Sequence, residues 1–144
     1  MENLYAAFLL CFHGFNTNEV YESSLNDAFL NSADNDILLE LEELSSNMLS
    51  THERFMQYWN YECPNFNADI FGKRLFAGLE IVYKSNALDL NEFCRRCYQL
   101  WNDLPSDIQQ TEPFFTLCYA DDYLSSVDEA QARKLYEKAF KFYA

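Results

Sequence analysis

The first 53 residues contain no lysine and no arginine. Ten carboxylates fall there (Glu2, Glu19, Glu22, Asp27, Asp34, Asp36, Glu40, Glu42, Glu43 and Glu53), whereas the other thirteen share the chain from Arg54 onward with all ten bases. A surface of that sign repels a nucleic-acid backbone and an anionic membrane, so neither is expected as a partner, and a basic protein is. Glycine and proline are scarce too, three of each in 144 residues. Three scattered glycines build neither a phosphate-cradling loop nor a dinucleotide motif, and no Gly-x-Ser-x-Gly elbow occurs. Long apolar runs are missing: the longest, residues 5–12, is far short of the roughly 20 residues that cross a bilayer. The chain opens Met-Glu-Asn with no base ahead of that run, unlike a secretory signal, and a cytoplasmic protein is expected.

Histidine is rarer still, at positions 13 and 52 only. Thr51-His52-Glu53-Arg54 is not a His-Glu-x-x-His zinc motif, because Met56 stands where the second ligand belongs, so His52 reads as a lone surface histidine. Five cysteines without an export signal read as reduced and buried. Cys94 and Cys97 have the Cys-x-x-Cys spacing, but no second pair completes a zinc site and the two lie within an amphipathic helical pattern. Asp34, Asp36 and Glu40 resemble a calcium loop only in their acidity. An EF-hand starting at Asp34 needs glycine and glutamate where Leu39 and Ser45 stand. No metal, cofactor or catalytic group is therefore expected.

What the chain has in plenty is aromatic and apolar character: 13 Phe, 10 Tyr and 49% hydrophobic residues, which excludes intrinsic disorder despite a net charge of −13. Apolar positions recur mostly at spacings of three and four with few breakers between them. The expected fold is all-α, a single compact domain over residues 1–144 with about six or seven helices and an aromatic-rich core. An apolar first helix from Leu4 stops at His13-Gly14. Thr17 caps a second, which turns Val20, Tyr21 and Leu25 inward. Asp34 or Asn35 caps a third, whose Ile37, Leu41, Leu44 and Met48 share one face. Ser50 or Thr51 caps a fourth that ends before Cys63-Pro64. A fifth, from about Asn67 to Ser85, buries Ile70, Phe71, Leu75 and Leu79, and its Lys73, Arg74 and Lys84 are candidates to pair with the acidic half. Asp89 and Asp128 cap a sixth and a final helix, with residues 105–126 between them the least regular.

Opposite the inner face of the third helix, Asp36, Glu40 and Glu43 make a carboxylate stripe. Like charges at this spacing do not help a helix form. The stripe is either a solvated face that keeps the protein soluble or a docking face for a basic protein, and its one-sidedness favours docking. The candidate partner-binding residues are Asp34, Asp36, Glu40 and Glu43, with Tyr58 and Trp59 as aromatic anchors. The alternative is a small helical ligand-binding protein or enzyme with working carboxylates at Asp121 and Asp122.

In Leu25-Asn26-Asp27-Ala28-Phe29-Leu30, Asn35-Asp36-Ile37-Leu38-Leu39-Glu40-Leu41-Glu42 and Tyr136-Glu137-Lys138-Ala139-Phe140-Lys141-Phe142-Tyr143, the chain resembles the small acidic cytosolic immunity proteins of bacterial toxin systems, contact-dependent inhibition among them. That resemblance implies a protein that is not an enzyme. It implies binding to a cognate toxin domain, often a basic nuclease, and occlusion of that domain's active or functional surface.

Overall fold

A computed structural model describes residues 1–32, 35–63, 65–120, 122 and 128–144. The chain is all-helical, 75% helix, with no strand among the described residues. Nine helices appear there, more than the six or seven expected: α1 (Glu2–Phe12), α2 (Asn18–Asn31), α3 (Asp36–Glu43), α4 (Met48–Gln57), α5 (Ala68–Ser85), α6 (Leu90–Asn102), α7 (Ser106–Gln109), α8 (Thr116–Tyr119) and α9 (Glu129–Lys141). Two of them, α7 and α8, are single turns within the irregular stretch. A π-helical turn, Tyr58–Glu62, continues α4, and the Cys63 amide closes its wide ring on the Tyr58 carbonyl at 2.8 Å.

Helix α1 is the central element. Every residue from Leu4 to Leu10 is buried, as expected of a helix apolar almost all round. It packs chiefly on α5 and α2, and Gly78 of α5 lets Leu10 approach where a side chain would collide. The stop at His13-Gly14 takes the expected form. Gly14 adopts φ +77°, its amide bonds the Cys11 carbonyl at 3.1 Å, and the Phe15 amide bonds Leu10 at 2.7 Å. That is the paired closure glycine makes at a helix end. One cluster of buried side chains runs from Leu4 to Phe140 and draws on every helix, with Tyr5, Phe8, Phe55 and Phe71 stacked near its centre.

Local chemistry explains most boundaries. Asn35, Asn67, Asp89 and Asp128 each accept amide hydrogens from the first turn of the helix they open. Three expectations need correction. The third helix does not run through to Met48, because Asn47 accepts from the Ser50 amide and opens α4 itself, while the Thr51 hydroxyl donates back to the Leu44 and Asn47 carbonyls. Ile70 lies on the outer side of α5, 46% exposed, because Phe71, Leu75 and Leu79 set the inner stripe. Val20 is likewise exposed, with Tyr21 and Leu25 carrying the inner face of α2. Cys94 and Cys97 lie buried on the inner face of α6.

Candidate functional site

The acidic face is built by α2, α3 and α4. Glu19, Glu22, Asp27, Asp36, Glu42, Glu43 and Glu53 are all exposed. None has a cationic partner within 4.0 Å among the described residues. Glu40 differs. Arg54 of α4 forks between Glu40 of α3 and Glu62 of the π turn, tying three elements together while its own side chain is only 12% exposed. Its guanidinium holds the Glu62 carboxyl below the usual range. The first base in the chain thus neutralises part of the stripe, leaving Asp36 and Glu43 as its open members. Asp34 lies outside the described residues.

The expected pairing of bases with the acidic half is otherwise absent among the described residues. Lys84 pairs with Glu80, Arg95 and Arg96 with Glu92, and Arg133 with Glu129, each within its own helix. The twin arginines hold the Glu92 carboxyl down at about 2. Four of the nine bases after Arg54 are thus paired within their own helices, and none of the nine reaches a carboxylate of the first 53 residues among the described residues.

The aromatic anchors divide. Trp59 extends the inner face of Thr51 and Phe55 and is 7% exposed, with Phe66 and Tyr58 rings 4.7 and 4.9 Å from its own. As a core residue it offers no surface, which corrects its expected role. Tyr58 is half-buried, and burial pushes its phenol up to about 12. The aromatic that faces outward is Tyr61, 83% exposed in the same π turn. Leu30, Leu39 and Leu49 are also exposed beside the acids of α2, α3 and α4.

Sequence reasoning missed a cluster that gathers both histidines on one carboxylate. His13 Nε2 lies 2.7 Å from Asp103 Oδ2, and His52 Nε2 lies 3.7 Å from Asp103 Oδ1. Far from being a lone surface residue, His52 stacks on Phe12 at 5.2 Å, and its buried Nδ1 has no hydrogen-bond partner among the described residues. Tyr5 donates to the Asp103 carbonyl at 3.3 Å. Burial pulls the His13 imidazole below its ordinary value; Asp103 opposes that shift, and the neighbouring His52 adds to it. The arrangement locks the ends of α1 and α6 to α4. Among the described residues, no group of three or more His, Cys, Asp or Glu is placed to hold a metal ion.

The alternative carboxylate site is only half visible, since Asp121 lies outside the described residues and Asp122 is exposed. A cleft of about 280 Å³ between α8 and α9 uses Glu112 instead, which accepts from the Thr116 and Tyr119 hydroxyls at 2.7 and 3.1 Å. A larger cleft, about 470 Å³, lies between the start of α1, α2 and α3, and Arg74 of α5 also lines it. No helix is long and apolar enough to cross a membrane among the described residues. Comparison with known families, with curated proteins and with solved structures finds no match.

Proposed function

We propose that the protein is a protein-binding inhibitor of the immunity type, acting in the cytoplasm on a cognate basic toxin domain. The acidic face of α2, α3 and α4 covers the toxin's active or functional surface. If the toxin is a nuclease, the carboxylates occupy the places of substrate phosphates. The reading involves no catalysis, cofactor, nucleic acid or membrane.

One observation supports it: Glu42 and Glu43 stand exposed, with no cationic partner among the described residues, at the C-terminal end of α3, where they oppose the helix dipole. Solubility requires net charge but not charge placed against the helix that bears it. Leu30, Leu39, Leu49 and Tyr61 add exposed apolar and aromatic area to the same elements, and a protein interface uses such residues for affinity while charge sets association rate and specificity.

The test is binding to the purified product of the neighbouring gene, measured across a range of salt. Association should slow as salt rises. Reversal of Asp36, Glu42 and Glu43 to lysine should weaken the complex by about tenfold or more, with helicity by circular dichroism unchanged. Absence of binding, or binding indifferent to both salt and charge reversal, sinks the proposal.

A further inference from the structure

Arg74 stands apart from the other arginines. Arg54, Arg95, Arg96 and Arg133 each hold a carboxylate, whereas Arg74, exposed on α5, has no ion pair among the described residues. It also lines both concavities that flank α2. The first is the cleft of about 470 Å³, with Ser24, Asp27 and Asn31 on its α2 wall. The second, about 430 Å³, is lined by Thr17, Glu19 and Ser23 and shares Ser24, Asp27 and Arg74 with the first. Asp27 and Arg74 therefore line two adjoining concavities together, and no ion pair joins them. An exposed guanidinium and an exposed carboxylate lining the same concavities, with hydroxyls and amides beside them, complement a molecule that carries both charges. A lone anion would meet Asp27, and a lone cation would meet Arg74.

We infer that this site binds a short peptide or amino acid with free ends. Arg74 grips the carboxylate through its two-pronged fork, Asp27 accepts from the ammonium, and Ser24 and Asn31 bond the backbone between them. The concavity has the size usual for small-ligand sites, about 300–1,000 Å³. This site goes beyond the acidic-face reading: it shares Asp27 with that face but uses none of Asp36, Glu42 or Glu43, and Arg74 lies outside the face, so the Arg74 variants and the Asp36, Glu42 and Glu43 reversals test the two ideas separately.

The probe is a length series from alanine to tetra-alanine, titrated at millimolar concentration into the ¹⁵N-labelled full chain. An extended peptide lengthens by about 3.3–3.6 Å per residue, so the length that binds best reports the Asp27–Arg74 separation. That length should give saturable amide shifts at Ser24 and Asn31. Binding should weaken about tenfold or more in Arg74→Ala and in Asp27→Asn, the loss of one charge-assisted hydrogen bond. Arg74→Lys, which keeps the charge without the fork, should fall between. Acetylating the amine or amidating the carboxylate should abolish binding. No saturable shift at any length overturns the inference, and so do shifts that survive blocked ends or both variants.

Discussion

The His13–Asp103–His52 cluster makes a single-residue prediction whose sign follows from burial. An imidazole held below its ordinary value of 6.5 binds fewer protons folded than unfolded, so acid favours unfolding. The stability tied to His13 is therefore present above that value and lost as pH falls from it through the folded-state value. The urea midpoint should drop between about pH 7.5 and pH 5.5, a window above the range where ordinary carboxylates titrate. In His13→Gln the drop should be smaller, and an equal drop in both proteins would remove His13 as its cause. Asp103→Asn should cost about 1–3 kcal/mol at neutral pH, because a buried ring nitrogen loses its carboxylate partner. None of this was legible in sequence. His13 is 90 residues from Asp103, and neither histidine sits in a local pattern that announces the third residue. Helix caps were legible for the opposite reason: Asn35, Asn67, Asp89 and Asp128 act on amides two or three residues away.

Among elements, the π turn after α4 separates two aromatics, Trp59 facing the core and Tyr61 facing outward. Trp59→Ala should destabilise by about 3–5 kcal/mol, the usual cost of emptying a large aromatic site. Tyr61→Ala should change stability by no more than about 0.5 kcal/mol while weakening partner binding. Urea unfolding of both variants decides the stability half, and a near-neutral Trp59→Ala would contradict the core packing described for it. The helical period was enough to place Trp59 inward, since Thr51, Phe55 and Trp59 follow at intervals of four. Arg54 gives the companion prediction. With Arg54→Gln the link from α3 to the π turn is lost, and backbone hydrogen exchange should quicken in residues 36–43 and 58–62 but not in α5 or α6. The break between α3 and α4 was hidden because Ile37, Leu41, Leu44 and Met48 keep one face through it. Only the competing cap at Asn47 ends the helix.

At the scale of the whole molecule, the question is whether the acidic half serves the fold or opposes it. A net charge of −13 repels itself, and added salt should raise the melting temperature of the free protein by screening seven unpaired carboxylates. The all-helical class and the central α1 were readable from apolar period and scarce breakers. The asymmetry of charge was readable too, but not its partial cancellation, which depends on Arg54 reaching across from α4. Glu42→Lys with Glu43→Lys separates fold from function. Lysine at the end of α3 favours the helix dipole by about 0.3–1 kcal/mol per residue, and the new ammonium at position 43 stands one turn from Glu40, where opposite charges attract. The double variant should therefore unfold at higher urea than the wild type while binding its partner more weakly and with less dependence on salt. Both halves of that result are needed. A variant that is more stable and less able to bind shows carboxylates kept against the interest of the helix that carries them, as a docking face requires. Lower stability would mean that Glu42 and Glu43 serve the fold, and their exposure would then support no partner.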